Sequence, residues 1–340
     1  MIVSLPYKIL IEKSVSEKIN RVFLDLKLGR KCLIISTPHI EGLIAKKIKN
    51  SLHGFSVDII SPDSMEKSYL ESLSKMIEKY DFVVGIGGGR TIDVAKYASY
   101  LAKKEWIAFP TVLSHDGVVS SRAVLNDEGK KISVDAKEPV AIIADLDTIK
   151  NAPYRYIAAG AGDLISNISA VEDWKFAAKQ KKEAYHDLIA RLSLLSADAA
   201  IEHANDIKKM SYHGLEIMIW SLICSGFAMN IYGSSRPGSG SEHNFSHALD
   251  YLGSKALHGE QVAIGTIIMT YLQGGDWKKI RSMLKKLKLP ATAKELGVEK
   301  DMMIKALSMS KDIRSRYTIL NKYKLSEKES KKILKKVGII

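Results

Sequence analysis

The chain has 340 residues, 46% hydrophobic and 26% charged, enough for about two domains of roughly 150 residues with buried cores, which excludes disordered and fibrous classes. Its two cysteines, Cys32 and Cys224, exclude a disulfide framework and a thiolate metal cluster. Because Lys8, Glu12 and Lys13 interrupt any leader-like apolar run, a cytoplasmic protein is expected. The net charge of +13 would suit a polyanion, yet no aromatic interleaving or nucleic-acid motif accompanies it, so no nucleic-acid partner is expected.

In chain order, the apolar run Lys31 to Ser36 predicts a strand. Thr37 and Pro38 then take the cap and first-turn positions of a helix with Ile40, Leu43, Ile44 and Ile48 on one face, closed by Gly54. Val57 to Ile60, Asp81 to Ile86, Trp106 to Phe109 and Val140 to Ala144 predict further strands, all too apolar for a sheet with one wet face. The expected fold is therefore a Rossmann-like α/β domain with a parallel sheet over residues 1–150. From Pro153 helical periodicities take over, predicting an all-helical domain over residues 151–340. Ile217 to Ser235 runs nineteen residues without a charge, but Ser221, Ser225, Gly226, Asn230 and Gly233 dilute it and its flanks show no basic bias or aromatic belt. It reads as a buried core helix with Ala263 to Leu272 as its companion, not as a membrane span. Asp276 to Lys288 and Lys322 to Lys336 each carry +5. Both predict amphipathic helices with a solvated lysine face, the second capped by Ser326 with Glu329 three residues on and ended by Gly338.

Two loops carry candidate chemistry. Gly85-Ile86-Gly87-Gly88-Gly89-Arg90-Thr91-Ile92-Asp93 follows the third predicted strand and precedes a helix. Side-chain-free residues there let N–H groups and a helix N-terminus approach a diphosphate, although a tight turn needing positive φ is the simpler alternative. Arg90 stands where a dinucleotide fingerprint needs its third glycine. Thr111 to Gly117, containing Ser114-His115-Asp116-Gly117, follows the next strand, where open α/β sheets place ligands; alone it could be an Asp-Gly turn.

Among nine histidines, His243 and His247 are four apart and would share a helix face, and His258 follows fifteen residues after His243. Asp163 lies in a helical run with small neighbours. Two imidazoles and a carboxylate would leave a coordination position open, as in catalytic zinc sites. By spacing alone, the histidines could equally be surface or core residues and Asp163 an N-cap. His39, His53, His186, His203 and His213 show no partner pattern.

Taken in order, the glycine loop, Ser114-His115-Asp116-Gly117, Ala161 to Asn167, Ser241 to Asp250 and His258 to Gly265 resemble the sn-glycerol-1-phosphate dehydrogenase branch of a larger superfamily, over residues 5–320. That superfamily contains iron-dependent alcohol dehydrogenases, glycerol dehydrogenases and dehydroquinate synthases. The resemblance implies a dehydroquinate synthase-like fold with a cleft between its two domains. It implies NAD or NADP held by Gly87, Gly88, Gly89, Arg90, Thr91, Ile92 and Asp93, with Thr111, Val112, Leu113, Ser114 and Ser120. It implies Zn²⁺ on Asp163, His243 and His258, and substrate contacts from Asp116, Asp163 and His247, with Asp116 and His247 as the catalytic pair. The implied reaction is reduction of dihydroxyacetone phosphate to sn-glycerol 1-phosphate, the backbone of archaeal membrane phospholipids, by a homo-oligomer that is not membrane-embedded. Arg236 is the candidate for the substrate phosphate. The strand Lys31 to Ser36 ends without a carboxylate, so both nucleotides should be tolerated. Glycerol dehydrogenase and a dehydroquinate synthase-like lyase are the alternatives.

Overall fold

The computed structural model describes residues 5–15 and 18–340. The chain forms two compact units, Met1–Leu113 with Gly117–Ala152, and Ser114–Asp116 with Pro153–Ile340.

The first unit is built on β1 (Lys8–Glu12), β2 (Lys31–Ser36), β3 (Ser56–Ile60), β4 (Phe82–Gly87), β5 (Glu105–Pro110) and β8 (Ala141–Asp145), a parallel sheet in the order β1-β8-β5-β4-β2-β3. Period-two alternation sends Cys32, Ile34, Phe82, Val84, Ile86, Ile107 and Phe109 to one face, where they pack with Ile19, Phe23, Ala45 and Ile48. That face is covered by α1 (Ile19–Leu26) and by the helical stretch α2 (Pro38–Ile40), Glu41–Ala45 and α3 (Lys46–Ser51). Glu41–Ala45 is a π-helical turn, so the regular helix face predicted there is broken: Ile48 is buried but Leu43 is 51% exposed. α4 (Lys67–Ile77) and α5 (Gly89–Leu101) follow, with α5 on the opposite face, where Gly85 leaves room for Ala95.

The sequence pattern missed β1, an edge strand of intermediate burial whose ends are Lys8 and Glu12, so the glycine loop follows the fourth strand and not the third. It also missed the antiparallel hairpin β6 (Arg122–Asp127) and β7 (Lys130–Asp135), turned by Glu128 at φ 50° and Gly129 at φ 76°. β2 and β4 pair in parallel, but the chain leaves β2 for the edge at β3 and leaves β4 for β5 on the other side. The glycine loop thus stands at a topological switch point, the place where open α/β sheets bind ligands. A short α6 (Leu146–Lys150) ends the unit.

The second unit is helical: α7 (Tyr154–Lys179), α8 (Asp187–Glu202), α9 (Ala204–Lys208), α10 (Tyr212–Tyr232), α11 (Ser241–Tyr251), α12 (His258–Leu272), α13 (Trp277–Lys286), α14 (Ala293–Leu296), α15 (Lys300–Met309) and α16 (Glu327–Lys336). α7 lies against α12, α8, α10 and α11. The two apolar runs are not companions, contrary to expectation; α12 lies along α7, whereas α10 packs mainly on α8 and α9 and also touches α7. Among the described residues α10 is the one helix long and apolar enough to cross a membrane, and 61% of its most apolar window is buried. α13 and α16 bury Ile280, Leu284, Leu334 and Val337 and turn their lysines to solvent, with Ser326 Oγ accepting from the Glu329 N–H.

Candidate metal centre and nucleotide loop

Close helix approach builds the candidate metal centre. A Cβ on Gly259, at the start of α12, would overlap the backbone of Ala159 in α7, and one on Gly162 would press on the Gly259 carbonyl. Gly265 of α12 likewise lies against the Glu242 backbone of α11. Glycine at these three positions lets the helices close until Asp163, His243 and His258 meet. The small neighbours of Asp163 serve this packing. Asp163 Oδ1 is 3.6 Å from His243 Nε2 and 3.7 Å from His258 Nε2.

Those gaps are too long for hydrogen bonds. They are near the roughly 3.3 Å between ligand atoms that tetrahedral geometry gives for bonds of about 2.0–2.1 Å to Zn²⁺. The partners of the other ring nitrogens fix which atoms face the centre. His243 Nδ1 lies 2.8 Å from Glu242 Oε1, a carboxylate that can only accept, so Nδ1 carries the hydrogen and the Nε2 lone pair points at Asp163. On His258, Nδ1 is 3.1 Å from Ser246 Oγ, which donates its own hydrogen to Gln261 Oε1 at 2.6 Å and therefore accepts from the imidazole. The Gln261 amide is oriented in turn by the Ala256 carbonyl at 3.2 Å and by Asp250 at 3.3 Å. Three acceptor atoms thus converge, an arrangement that repels itself unless a cation sits among them.

Charge agrees with this. Burial alone would lower the His243 pKa, but the neighbouring Asp163 and Glu242 carboxylates raise it to about 9. Burial would raise Asp163, yet His243 and His258 bring it down to about 2. His258 is lowered to about 4 by burial and by the charge on His243. The pocket accommodates one cation, and a metal ion can take the proton's place. Glu242, Ser246 and Gln261 were not singled out from sequence, although each lies inside a quoted motif. Glu260, another motif residue, accepts from the Leu257 N–H and pairs with Arg155 at 2.6 Å, fixing the turn that starts α12.

Asp116 reaches the centre: its N–H donates to Asp163 Oδ2 at 3.2 Å and its Oδ2 accepts from Ser225 Oγ at 3.0 Å. Burial, then the charge of Asp163, raises its carboxyl to about 6. The His247 ring centroid is 6.2 Å from that of His258, and His247 is outside the ligand triad.

Arg236 is a different matter. Its side chain is fully buried, donating to the Asp173 and Tyr317 carbonyls at 3.1 and 2.7 Å and pairing with Glu183 at 2.8 Å. Residues 236–240 around it are folded inward, so this guanidinium braces the fold and is not available to a substrate phosphate. Arg236→Ala should lower unfolding free energy by about 3 kcal/mol or more. It should leave the ratio of KM values for phosphorylated and unphosphorylated substrate unchanged. Chemical denaturation and steady-state kinetics check both.

In the first unit, none of Gly85, Gly87, Gly88 and Gly89 has positive φ, so the turn explanation for the glycine loop fails. Gly85 and Gly87 are needed for proximity. A Cβ on Gly87 would strike the Thr91 side chain, and Gly88, at the cap position before α5, supplies no side-chain cap. The N–H groups at this helix start suit an anion. Of the expected cofactor residues, Ile92 and Asp93 face inward. The Asp93 carboxylate holds Lys96 Nζ at 3.3 Å and the Val124 N–H at 3.2 Å. Lys96 also donates to the Gly117 and Arg122 carbonyls, bracing the segment that carries buried Ser120. Thr111 donates its N–H to the Gly87 carbonyl at 3.0 Å, which places residues 111–113 beside the loop, whereas Ser114 falls in the second unit.

The iron-containing alcohol dehydrogenase family model matches residues 10–153. A glycerol-1-phosphate dehydrogenase (NAD(P)+) of Thermococcus sibiricus is 43% identical over 100% of this chain and 98% of its own length, and one of Sulfurisphaera tokodaii is 42% identical with the same coverage. Among solved structures, glycerol dehydrogenase from Schizosaccharomyces pombe superposes with a TM-score of 0.82 at 20% identity, covering 99% of this chain and 90% of that one. A probable glycerol dehydrogenase from Sinorhizobium meliloti gives 0.80 at 19% identity, covering 99% and 98%. These two establish the shared fold. With full-length relatives above 40% identity, the chain belongs to the glycerol-1-phosphate dehydrogenase family.

Proposed function

We propose that this protein reduces dihydroxyacetone phosphate to sn-glycerol 1-phosphate with NADH or NADPH, with Zn²⁺ held by Asp163, His243 and His258. The product is the glycerol phosphate backbone of archaeal membrane phospholipids. The observation that carries the reading is the convergence of one carboxylate oxygen and two tautomer-fixed imidazole nitrogens, in a chain whose full-length relatives bear that enzyme name. When bound, the metal supplies a Lewis acid for the C2 carbonyl and the nicotinamide a hydride donor.

The protein's own groups do the rest. Glu242 and Ser246 hold the two imidazoles with Nε2 presented. The Asp116 N–H holds Asp163, while its carboxylate, held by Ser225, contacts a substrate hydroxyl. His247, one helical turn beyond His243, delivers a proton to the C2 oxygen directly or through a water it orients. Gly87 to Thr91 bind the diphosphate through N–H groups. β2 ends at Ser36, whose hydroxyl donates to the Ile86 carbonyl, and no carboxylate there repels a 2′-phosphate, so both nucleotides serve. A homo-oligomer is part of the proposal, and light scattering measures it.

The test is NAD(P)H oxidation with dihydroxyacetone phosphate against dihydroxyacetone, with and without chelator, followed by chiral analysis of the product. Equal use of both ketones would instead make the protein a glycerol dehydrogenase. For the proton step, His247→Asn should lower kcat by about a hundredfold or more with metal content unchanged. Near-normal kcat would remove His247 from that role.

A further inference from the structure

A second group of ligating side chains gathers where α8, α9 and α10 meet. His203 closes α8 and precedes α9, Asp206 lies in α9, and His213 lies in the first turn of α10. Nothing in their spacing marks them as partners; the fold brings them together. One ring nitrogen from each histidine and one Asp206 carboxylate oxygen all lie within 4.8 Å of one another. The imidazoles meet edge to face, with centroids 5.0 Å apart and planes at 81°.

Backbone bonding makes the corner rigid. The His203 carbonyl accepts from the N–H groups of Asp206 and Ile207, both at 3.0 Å, and the Asp206 carbonyl accepts from the Ser211 N–H at 3.1 Å. Met210, at φ 50°, reverses the chain between α9 and α10, and Ser211 Oγ caps α10 by accepting from the Gly214 N–H at 3.0 Å. A Cβ on Gly214 would run into the Asp206 backbone, so glycine is what allows α10 to begin against α9 and carry His213 up to Asp206. The donors are therefore held by main-chain geometry, not by long flexible arms.

We propose that His203, Asp206 and His213 form a second metal site, for a divalent transition ion of the zinc and cobalt class. Two imidazoles and one carboxylate are the donor set such ions take, and partial exposure leaves the remaining positions to water. The site belongs to none of the groups assigned to the reduction. By joining the end of α8, α9 and the start of α10 it ties the folded corner together, so occupancy adds stability by mass action.

The test uses full-length protein stripped with chelator and titrated with Zn²⁺, with bound metal counted by mass spectrometry after gel filtration. Wild type should take two equivalents. His213→Ala and Asp206→Asn should each take one, with second-site affinity at least about tenfold weaker and reductase activity retained. In a His258→Ala background, Co²⁺ should still give visible absorption bands and raise the melting temperature, and adding His213→Ala should abolish both effects. Should His213→Ala not fold, His213→Gln replaces it. A single wild-type equivalent that His213→Ala and Asp206→Asn leave in place, or a second equivalent that survives both substitutions, would overturn the proposal. Because the second site is counted separately from the Asp163 centre, either result is independent of whether the protein reduces dihydroxyacetone phosphate.

Discussion

His258→Ala should cut kcat/KM for dihydroxyacetone phosphate by about a thousandfold or more, equivalent to ~4 kcal/mol of transition-state stabilisation, and should leave the Asp163 centre without bound zinc. The size of the effect follows from the donor count. Asp163, His243 and His258 are the three side chains whose ligand atoms converge, and removing one leaves a site that cannot close around the ion. The neighbouring residues predict a graded series beneath it. Glu242→Gln and Ser246→Ala each leave the ligand in place but disturb the partner that fixes its tautomer, so zinc affinity should fall about 10- to 100-fold and excess Zn²⁺ should restore activity. Competition titration with a chromophoric chelator separates the two classes. Full activity of His258→Ala in chelator-treated protein would sink the metal assignment. Unchanged zinc affinity in both milder variants would leave the metal but remove the tautomer argument.

How much of this was legible in the sequence depended on whether the signal was local. The runs Lys31 to Ser36 and Asp81 to Ile86 are buried on both faces, so continuous apolarity marked β2 and β4. β1 has charged ends at a sheet edge, and the β6–β7 hairpin alternates polar and apolar residues in a separate two-stranded sheet, so neither carried that mark. The candidate ligand triad was readable as residue types, because His243 and His258 open their helices and Asp163 interrupts an apolar one. That they converge depended on Gly162, Gly259 and Gly265 meeting backbone from other helices, a long-range fact no spacing encodes. Arg236 failed for the complementary reason: a glycine- and serine-rich stretch suggests exposure, but here the guanidinium is enclosed by α7 and by the segment carrying Tyr317. His203 and His213, dismissed for want of a pattern, are neighbours only because α10 turns back on α9.

The role of helix approach can be tested without touching any ligand, through Gly259→Ala. The added methyl would overlap the Ala159 carbonyl and carbon, and these are main-chain atoms inside a 26-residue helix, which cannot rotate out of the way as a side chain could. α12 must therefore retreat from α7. Overpacking of this kind costs about 1–3 kcal/mol, and rigid backbone on both sides puts this case at the upper end. The same retreat carries His258, the preceding residue, away from Asp163, one turn beyond Ala159, and opens the 3.7 Å gap between their ligand atoms. Stability and zinc affinity should thus fall together, with a melting temperature several degrees lower and affinity at the Asp163 centre reduced at least about tenfold. Gly42→Ala is the matched control, since nothing lies within 4 Å of its added Cβ and its φ is not positive, so it should not lower the melting temperature and should leave zinc affinity unchanged. Thermal melts with and without Zn²⁺ measure both. Wild-type melting and zinc binding in Gly259→Ala would mean that α12 shifts without cost and that the centre is positioned by the bonds of Glu260 and Arg155 alone.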